Sequence, residues 1–398
     1  MNKILSIYQR NSVLQKMAEL VKINRAAIIG SNQKDLKSFD RADLAMYDRL
    51  KVDDQKIDGM IESLDQLARQ EDPLGKERFS FVHENGLKIE NRTAPFGTIL
   101  IIYESRPDVT VEAAGIAFKS GNKILLKGGK ESFHSNIAIV KLWQEALKLN
   151  SIDEKWVEYL VFNRQETQDF LKAPSQKIDL IIPRGGNQLI QFVKENATCP
   201  VIVSGRGNNF VYVESTTDQD KAIEIIVNAK VAKISACNAL DKVLIDRKLP
   251  NFDDFVEKLI IKLKKFDVQI LGDVACSRYD GIEKMEDDKI WYEEFLDYKI
   301  VFGQVKDMQE AIDKINQFGG GHSACILTKN DEMAREFMEE VDAAAVYQNA
   351  STRFTDGFQF GLGGELAIST DKLHQRGPIG LEHLVTNKWY VYGEGQIR

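Results

Sequence analysis

Among the side chains of this sequence that can do covalent chemistry, Cys237 stands in Ser235-Ala236-Cys237-Asn238-Ala239-Leu240. A free cysteine taken alone reads as a small buried hydrophobe, and Cys199, Cys276 and Cys325 keep that reading. Around Cys237 the neighbours are small, and Asn238 adds a backbone N–H and a side-chain amide that can face a developing oxyanion. Cys237 therefore reads either as an inert core residue or as a nucleophile whose small neighbours let a substrate reach it. The five histidines, His83, His134, His322, His374 and His383, are scattered, and none stands in a motif that makes it a base for the thiol. Three glycine-rich turns follow apolar runs: KGGKE (127–131), PRGGNQ (183–188) and SGRGNN (204–209). Glycine lets backbone N–H groups approach a phosphate, and Lys and Arg add charge, so three such turns in succession point to a nucleotide. Neither GxGxxG after the first strand nor GxxxxGK[ST] is present. Arg106, in YESRPDVT, follows a strand and precedes a Pro-initiated helix. It reads either as an anion ligand at a helix N-terminus or as the partner of a nearby carboxylate.

The elements that must position these residues show in the hydrophobic periodicity. Residues 1 to about 72 have mostly helical spacing. From residue 86 the texture turns to short β-rich runs, and TILIIY, KILLK, EYLVF, IDLII, VIVS and FVYV read as strands between 97 and 213. Helical segments separate them, such as TVEAAGIAFKS and the face Phe133, Ile137, Val140 and Leu147. This alternation implies a parallel, doubly wound α/β sheet. A second α/β region begins near DQDKAIEIIVNAKVAK, with DKVLID and ACILTK as strands and DMQEAIDKINQF as an amphipathic helix. The terminal NKWYVYGEGQIR reads as an aromatic strand whose exposed apolar surface needs a partner, often another subunit.

Composition limits the class. With 398 residues, 43% hydrophobic and 28% charged, the chain can bury the cores of two or three domains. Its 53 basic and 60 acidic residues leave a net charge of -7, which argues against a broad nucleic-acid or anionic-membrane surface. Four separated cysteines without a CxxC pair suggest neither a disulfide framework nor a metal site. The N-terminus lacks a signal-peptide core and no segment approaches about 20 apolar residues, so a reducing cytoplasm is the expected location.

Five stretches carry a resemblance. PFGTILIIYESRPDVTVEAAGIAFKSGNKILLKGGKE, IDLIIPRGG, SACNALDKVLI, NASTRFTDGFQFGLGGELAIST and KLHQRGPIGLEHLVTNKWYVYGEGQIR, in this order, closely resemble the glutamate-5-semialdehyde dehydrogenase (gamma-glutamyl phosphate reductase) family of the aldehyde dehydrogenase superfamily. The resemblance implies an aldehyde dehydrogenase-like α/β fold with a cofactor domain (1–224, without a flap at about 84–95), a catalytic domain (225–384), and an oligomerisation hairpin from the flap and 385–398. It implies NADPH-dependent reduction of gamma-glutamyl phosphate to glutamate 5-semialdehyde in proline biosynthesis. Cys237 falls on its catalytic thiol, with Asn238 N–H, and its side chain as a second candidate, on the oxyanion. Lys127, Gly128, Gly129 and Lys130 match the loop at the adenosine ribose, with Lys130 favouring a 2′-phosphate. Pro183, Arg184, Gly185 and Gly186 match the pyrophosphate turn, and Glu294 the ligand of the nicotinamide ribose. Ser351, Thr352 and Arg353 are expected at the substrate carboxylate and Arg106 at the leaving phosphate. The turn holding Val203 lacks the carboxylate with which aldehyde oxidisers of the superfamily activate water, which suits a reductase that must keep water from its thioester. A homodimer or higher homo-oligomer and an upstream glutamate kinase are the implied partners. Two other readings stay open: an acylating dehydrogenase using CoA or another acyl phosphate, and a non-catalytic scaffold for the kinase.

Overall fold

Helical spacing at the N-terminal end becomes α1 (Ile7–Ile23), α2 (Arg25–Lys37), α3 (Leu44–Leu50) and α4 (Asp54–Arg69). The computed structural model describes residues 4–39 and 44–398, so residues 1–3 and 40–43 of the stretch read as helical lie outside it. A capping box of Ser6 and Gln9 starts α1, and the Asp53 carboxylate caps α4 at the Lys56 N–H. In α4 the residues Ile57, Met60, Leu64 and Leu67 recur every three or four positions and are buried.

Two compact units follow from the contacts. The first takes the chain to Ser204 together with Gly361–Ala367 and Ile379–Arg398. It carries an antiparallel sheet of β1 (Glu77–Val82), β2 (Lys88–Pro95) and the C-terminal strand Val385–Tyr392, with β2 in the middle. The flap therefore starts at Glu77 rather than near residue 84, and the C-terminal strand pairs within its own chain. Its parallel sheet is built from β3 (Thr98–Tyr103), α5 (Val109–Lys119), β4 (Lys123–Gly128), α6 (Phe133–Leu149), β5 (Val157–Tyr159), α7 (Arg164–Lys172), β6 (Leu180–Arg184) and α8 (Asn187–Asn196). The strand order is β5-β4-β3-β6. Residues of β3 alternate between two cores: Ile99 and Ile101 join the side chains of α1, α4, α5 and α6, while Leu100 and Ile102 join those of α7 and α8. Of VIVS, read as a strand, only an isolated bridge between Ile181 and Val201 forms.

The second unit takes Gly205–Phe360 and Ile368–Pro378. Its elements are β7 (Asn209–Val213), α9 (Gln219–Val231), β8 (Leu240–Asp246), α10 (Phe252–Lys264), β9 (Gln269–Gly272), β10 (Glu283–Lys284), β11 (Lys299–Val305), α11 (Met308–Phe318), β12 (Ser323–Leu327), α12 (Asp331–Glu340) and β13 (Ala345–Gln348). Seven parallel strands run in the order β10-β9-β11-β8-β7-β12-β13. Here the domain boundary expected at residue 224 moves to 204. The reason is pairing: β7 lies between β8 and β12, so FVYV belongs to this sheet and not to the first. Side chains of α9 and α10 cover one face and those of α11 and α12 the other. No helix among the described residues is long and apolar enough to cross a membrane.

Candidate active site

Cys237 stands in the turn between α9 and β8, where no helix or strand hydrogen bonds constrain it. Two neighbours hold it instead. Asn209, the first residue of β7 and fully buried, directs Nδ2 at the carbonyls of Gly207 (2.8 Å), Cys237 (2.7 Å) and Ala239 (2.7 Å). From the other side comes the turn after β13: Thr352 Oγ1 donates to the Asn238 carbonyl at 2.8 Å, and Asn238 Nδ2 donates to the carbonyls of Arg353 (3.2 Å) and Thr355 (2.9 Å). Both carbonyls of the Cys–Asn pair are thus fixed, and with them the orientation of the intervening peptide. Gly207 closes the arrangement, because a Cβ there would stand 2.6 Å from the Cys237 carbonyl carbon and 2.7 Å from its Cα. SGRGNN therefore acts at Gly207 by close packing against the cysteine turn, not as the phosphate loop that its glycines suggest.

These bonds correct two expectations. The Asn238 side-chain amide is spent on the 353–355 carbonyls and does not serve an oxyanion; its backbone N–H has no acceptor among the described residues. Thr352 is fully buried with its hydroxyl on Asn238, so it builds the turn rather than facing a substrate, whereas Ser351 is buried with Oγ accepting from the Arg353 N–H at 3.4 Å. Thr355 anchors it further through Ser323 (2.7 Å) and Tyr347 (2.6 Å), and Ser323 contacts His322 Nδ1 at 2.8 Å. Burial holds that histidine down at about 4, hence neutral at physiological pH.

Arg353 is different. Its Nε and Nη1 are buried with no hydrogen-bond partner, which is costly for a guanidinium unless an anion arrives. Burial lowers its pKa, and the charges of Cys237 and Asp356 oppose that shift, so the guanidinium lies within electrostatic reach of the thiol. Burial raises the other thiols, Cys199, Cys276 and Cys325, the last to about 12.

In the first unit, register places Tyr103 of β3 opposite Gly128 of β4 and opposite Arg184 of β6. Three strand ends thereby bring ESRP, KGGKE and PRGG to one carboxyl edge, where open α/β sheets bind ligands. Lys127 Nζ donates to the Gly128 carbonyl at 2.8 Å, its pKa lowered by burial, and Lys130 is exposed. Glycine is required at 128, since a Cβ would lie 2.9 Å from the Tyr159 hydroxyl, and at 185, where it would lie 2.7 Å from Leu189. Glu131 accepts from Ser105 N–H (2.7 Å) and Oγ (2.9 Å). Glu104 accepts the Gly186 N–H at the N-terminus of α8 (2.9 Å), the donor expected for a pyrophosphate. Pro183 and Arg184 end β6, and Arg106 pairs with Asp108 at 3.0 Å, the carboxylate alternative raised by its sequence. The backbone cradles, two lysines and the helix N-terminus fit a phosphate-bearing nucleotide. Glu294, in the second unit, is half-buried between Trp291 and β11. Among the described residues no group of three or more His, Cys, Asp or Glu is placed to hold a metal ion.

Motif reasoning missed Asn209, Thr355, Glu104 and Glu131. Only the polar pair Asn208-Asn209 at the mouth of a strand, where an apolar residue is the norm, hinted at the first.

The aldehyde dehydrogenase family model matches residues 3–274 and 284–389. The gamma-glutamyl phosphate reductase of Clostridium botulinum (strain Eklund 17B / Type B) is 42% identical over 392 residues, covering 98% of this chain and 94% of that protein. That of Carboxydothermus hydrogenoformans is 44% identical over 398 residues, covering 99% and 95%. The crystal structure of gamma-glutamyl phosphate reductase from Thermotoga maritima superposes with a TM-score of 0.92 at 40% identity, covering 99% of this chain and 95% of that one. With a thiol turn clamped at both carbonyls, three turns gathered at the carboxyl edge of a parallel sheet and this likeness over nearly its whole length, the chain belongs to the gamma-glutamyl phosphate reductase family of the aldehyde dehydrogenases.

Proposed function

We propose that this chain reduces gamma-glutamyl phosphate to glutamate 5-semialdehyde and phosphate with NADPH, the reductive step from glutamate toward proline, through a thioester on Cys237. The observation that carries the site assignment is the Arg353 guanidinium, buried with two unpartnered nitrogens and within electrostatic reach of Cys237. Its charge favours the thiolate, and its open N–H groups suit the carboxylate of a glutamyl substrate.

The thiolate attacks the acyl carbon, and the oxyanion of the tetrahedral intermediate takes the Asn238 backbone N–H. The bond to the phosphate oxygen then breaks, and phosphate leaves with its electron pair. Arg106 is the proposed phosphate ligand, exchanging its Asp108 partner for the stronger anion. Bound NADPH supplies the hydride that reduces the thioester carbon. Lys127, Gly128, Gly129 and Lys130 hold its adenosine ribose and 2′-phosphate, the 183–186 turn its pyrophosphate once Glu104 releases Gly186, and Glu294 its nicotinamide ribose. Collapse of the thiohemiacetal breaks the C–S bond, frees the aldehyde and restores the thiol. Val203 is buried and its turn offers no carboxylate to activate water, so the thioester is preserved for reduction.

The chain acts as a homo-oligomer in this reading, in the cytoplasm. Support comes from the flap: Phe79, Phe81, Trp389 and Val391 share one face by register and are all exposed, with Phe79 and Trp389 edge to face at 6.0 Å. A cytoplasmic glutamate kinase would supply the labile acyl phosphate.

The test is NADPH formation from glutamate semialdehyde, dependent on phosphate and independent of CoA. Wild type should be active, Cys237→Ser inactive, and Arg353→Ala should raise the Michaelis constant for semialdehyde about tenfold or more. An unchanged Michaelis constant in Arg353→Ala removes that residue from the substrate site, and CoA-dependent turnover would overturn the substrate assignment.

A further inference from the structure

Three buried charged side chains of the second unit have no part in the chemistry above. Lys230 of α9 and Lys242 of β8 are fully buried, and Asp241 beside the latter is 2% exposed. Lys230 Nζ pairs with Asp241 Oδ1 at 3.1 Å. Lys242 has no carboxylate of its own. Its Nζ donates to the Glu293 carbonyl at 2.7 Å and stands 3.9 Å from the centre of the Phe295 ring, which also faces Lys299 at 4.7 Å and Lys230 at 5.9 Å. Asp241 Oδ2 accepts the Phe295 N–H at 3.3 Å. The backbone is held immediately before and immediately after Glu294.

A local irregularity makes this possible. Asn209 of β7 pairs with Leu240 but Phe210 pairs with Lys242, so Asp241 is the extra residue of a bulge in β8. A bulge breaks the strict alternation of a strand, and two consecutive side chains can then serve one segment. Packing does not account for Lys242, because an apolar side chain of its volume would fill the space without a desolvation cost.

We propose that Lys242, together with Asp241, is a positioning residue that clamps the Glu293–Phe295 backbone and thereby sets the direction in which Glu294 meets the nicotinamide ribose. The proposal rests on the reading of Glu294 as that ribose ligand. Around Lys242 stand Asp241 and Glu293, which favour its charge, and Lys230 and Lys299, which oppose it; burial outweighs them and holds the amine at about 7. Burial likewise lowers Lys230 and raises Asp241. The charge-assisted half of the clamp is therefore strongest below neutral pH and weakens as the amine deprotonates.

Lys242→Met tests this, and it leaves the Lys230–Asp241 pair balanced, so no buried charge is orphaned; Phe295→Leu is the second variant. In the full chain without cofactor, amide hydrogen exchange of the peptide spanning 291–298 should quicken about tenfold in Lys242→Met, with the neighbouring strands unchanged. Wild type should show the same loosening between pH 6 and pH 8.5 after correction for intrinsic exchange, and Lys242→Met should not. With NADPH, hydride transfer should slow about tenfold while alkylation of Cys237 by iodoacetamide is unchanged. Exchange and hydride transfer at wild-type levels in Lys242→Met, with Glu294→Gln impaired, would overturn the clamp. Wild-type hydride transfer and NADPH affinity in Glu294→Gln would instead remove the ribose reading, and the proposal would fall with it.

Discussion

One methyl group added at Gly207 tests how tightly Cys237, the proposed nucleophile, is held. The backbone there lies outside the left-handed region, so alanine carries no conformational penalty and the effect is steric. Its Cβ would meet the Cys237 carbonyl carbon at 2.6 Å and Cα at 2.7 Å, against about 3.5 Å for relaxed carbon contact. The Cys237 carbonyl oxygen would be closer still, so either the cysteine turn or the entry to β7 must retreat by about 1 Å or more. Such a retreat stretches the 2.7 Å bond from Asn209 toward the limit of hydrogen bonding. Overpacking of this kind costs about 1–3 kcal/mol of stability, and loss of the bond about 1 kcal/mol more. Displacement of a nucleophile on the scale of 1 Å costs about a hundredfold in rate. The assay is kcat for phosphate-dependent NADPH formation in Gly207→Ala, with the thermal unfolding midpoint measured on the same preparation. A kcat within about threefold of wild type in a folded variant would refute the reasoning, since the cysteine turn would then not depend on contact with residue 207.

Two further outcomes follow from buried charge and exposed apolar surface. Lys242, held at about 7 by burial, binds fewer protons folded than unfolded between about pH 7 and 10, so stability contributed through this group rises with pH there. Relative to Lys242→Met, wild type should thus gain up to about 1.4 kcal/mol of stability per pH unit in urea unfolding as pH is raised above 7, and a pH-independent difference would refute the titration. Trp389→Asp combined with Phe81→Asp places charge on the exposed flap face and should convert the proposed oligomer to monomer in light scattering at unchanged far-ultraviolet circular dichroism; an unaltered mass would remove this face from the interface.

Element types were legible because they are local. The period of α4, the apolar runs of β3, β4 and β8, and the aromatic C-terminal strand each declare themselves within about a dozen residues. Cys237 and the KGGKE and PRGG turns were likewise visible, since side-chain chemistry and glycine are read one position at a time.

What only the tertiary structure decided is pairing. VIVS and FVYV look alike, yet one forms a single bridge in the first unit while the other lies at the heart of the second sheet, because strand order depends on partners far along the chain. The same holds at the site. Asn238 and Thr352 carry the right groups for an oxyanion and a carboxylate, but 114 residues of separation close into hydrogen bonds that spend them on each other's turns. Arg353 Nε and Nη1 stay open for the complementary reason: burial removed their water, and no acceptor reaches them among the described residues. Sequence determined which chemistry was present, and long-range hydrogen bonding determined which of those groups remained available to do it.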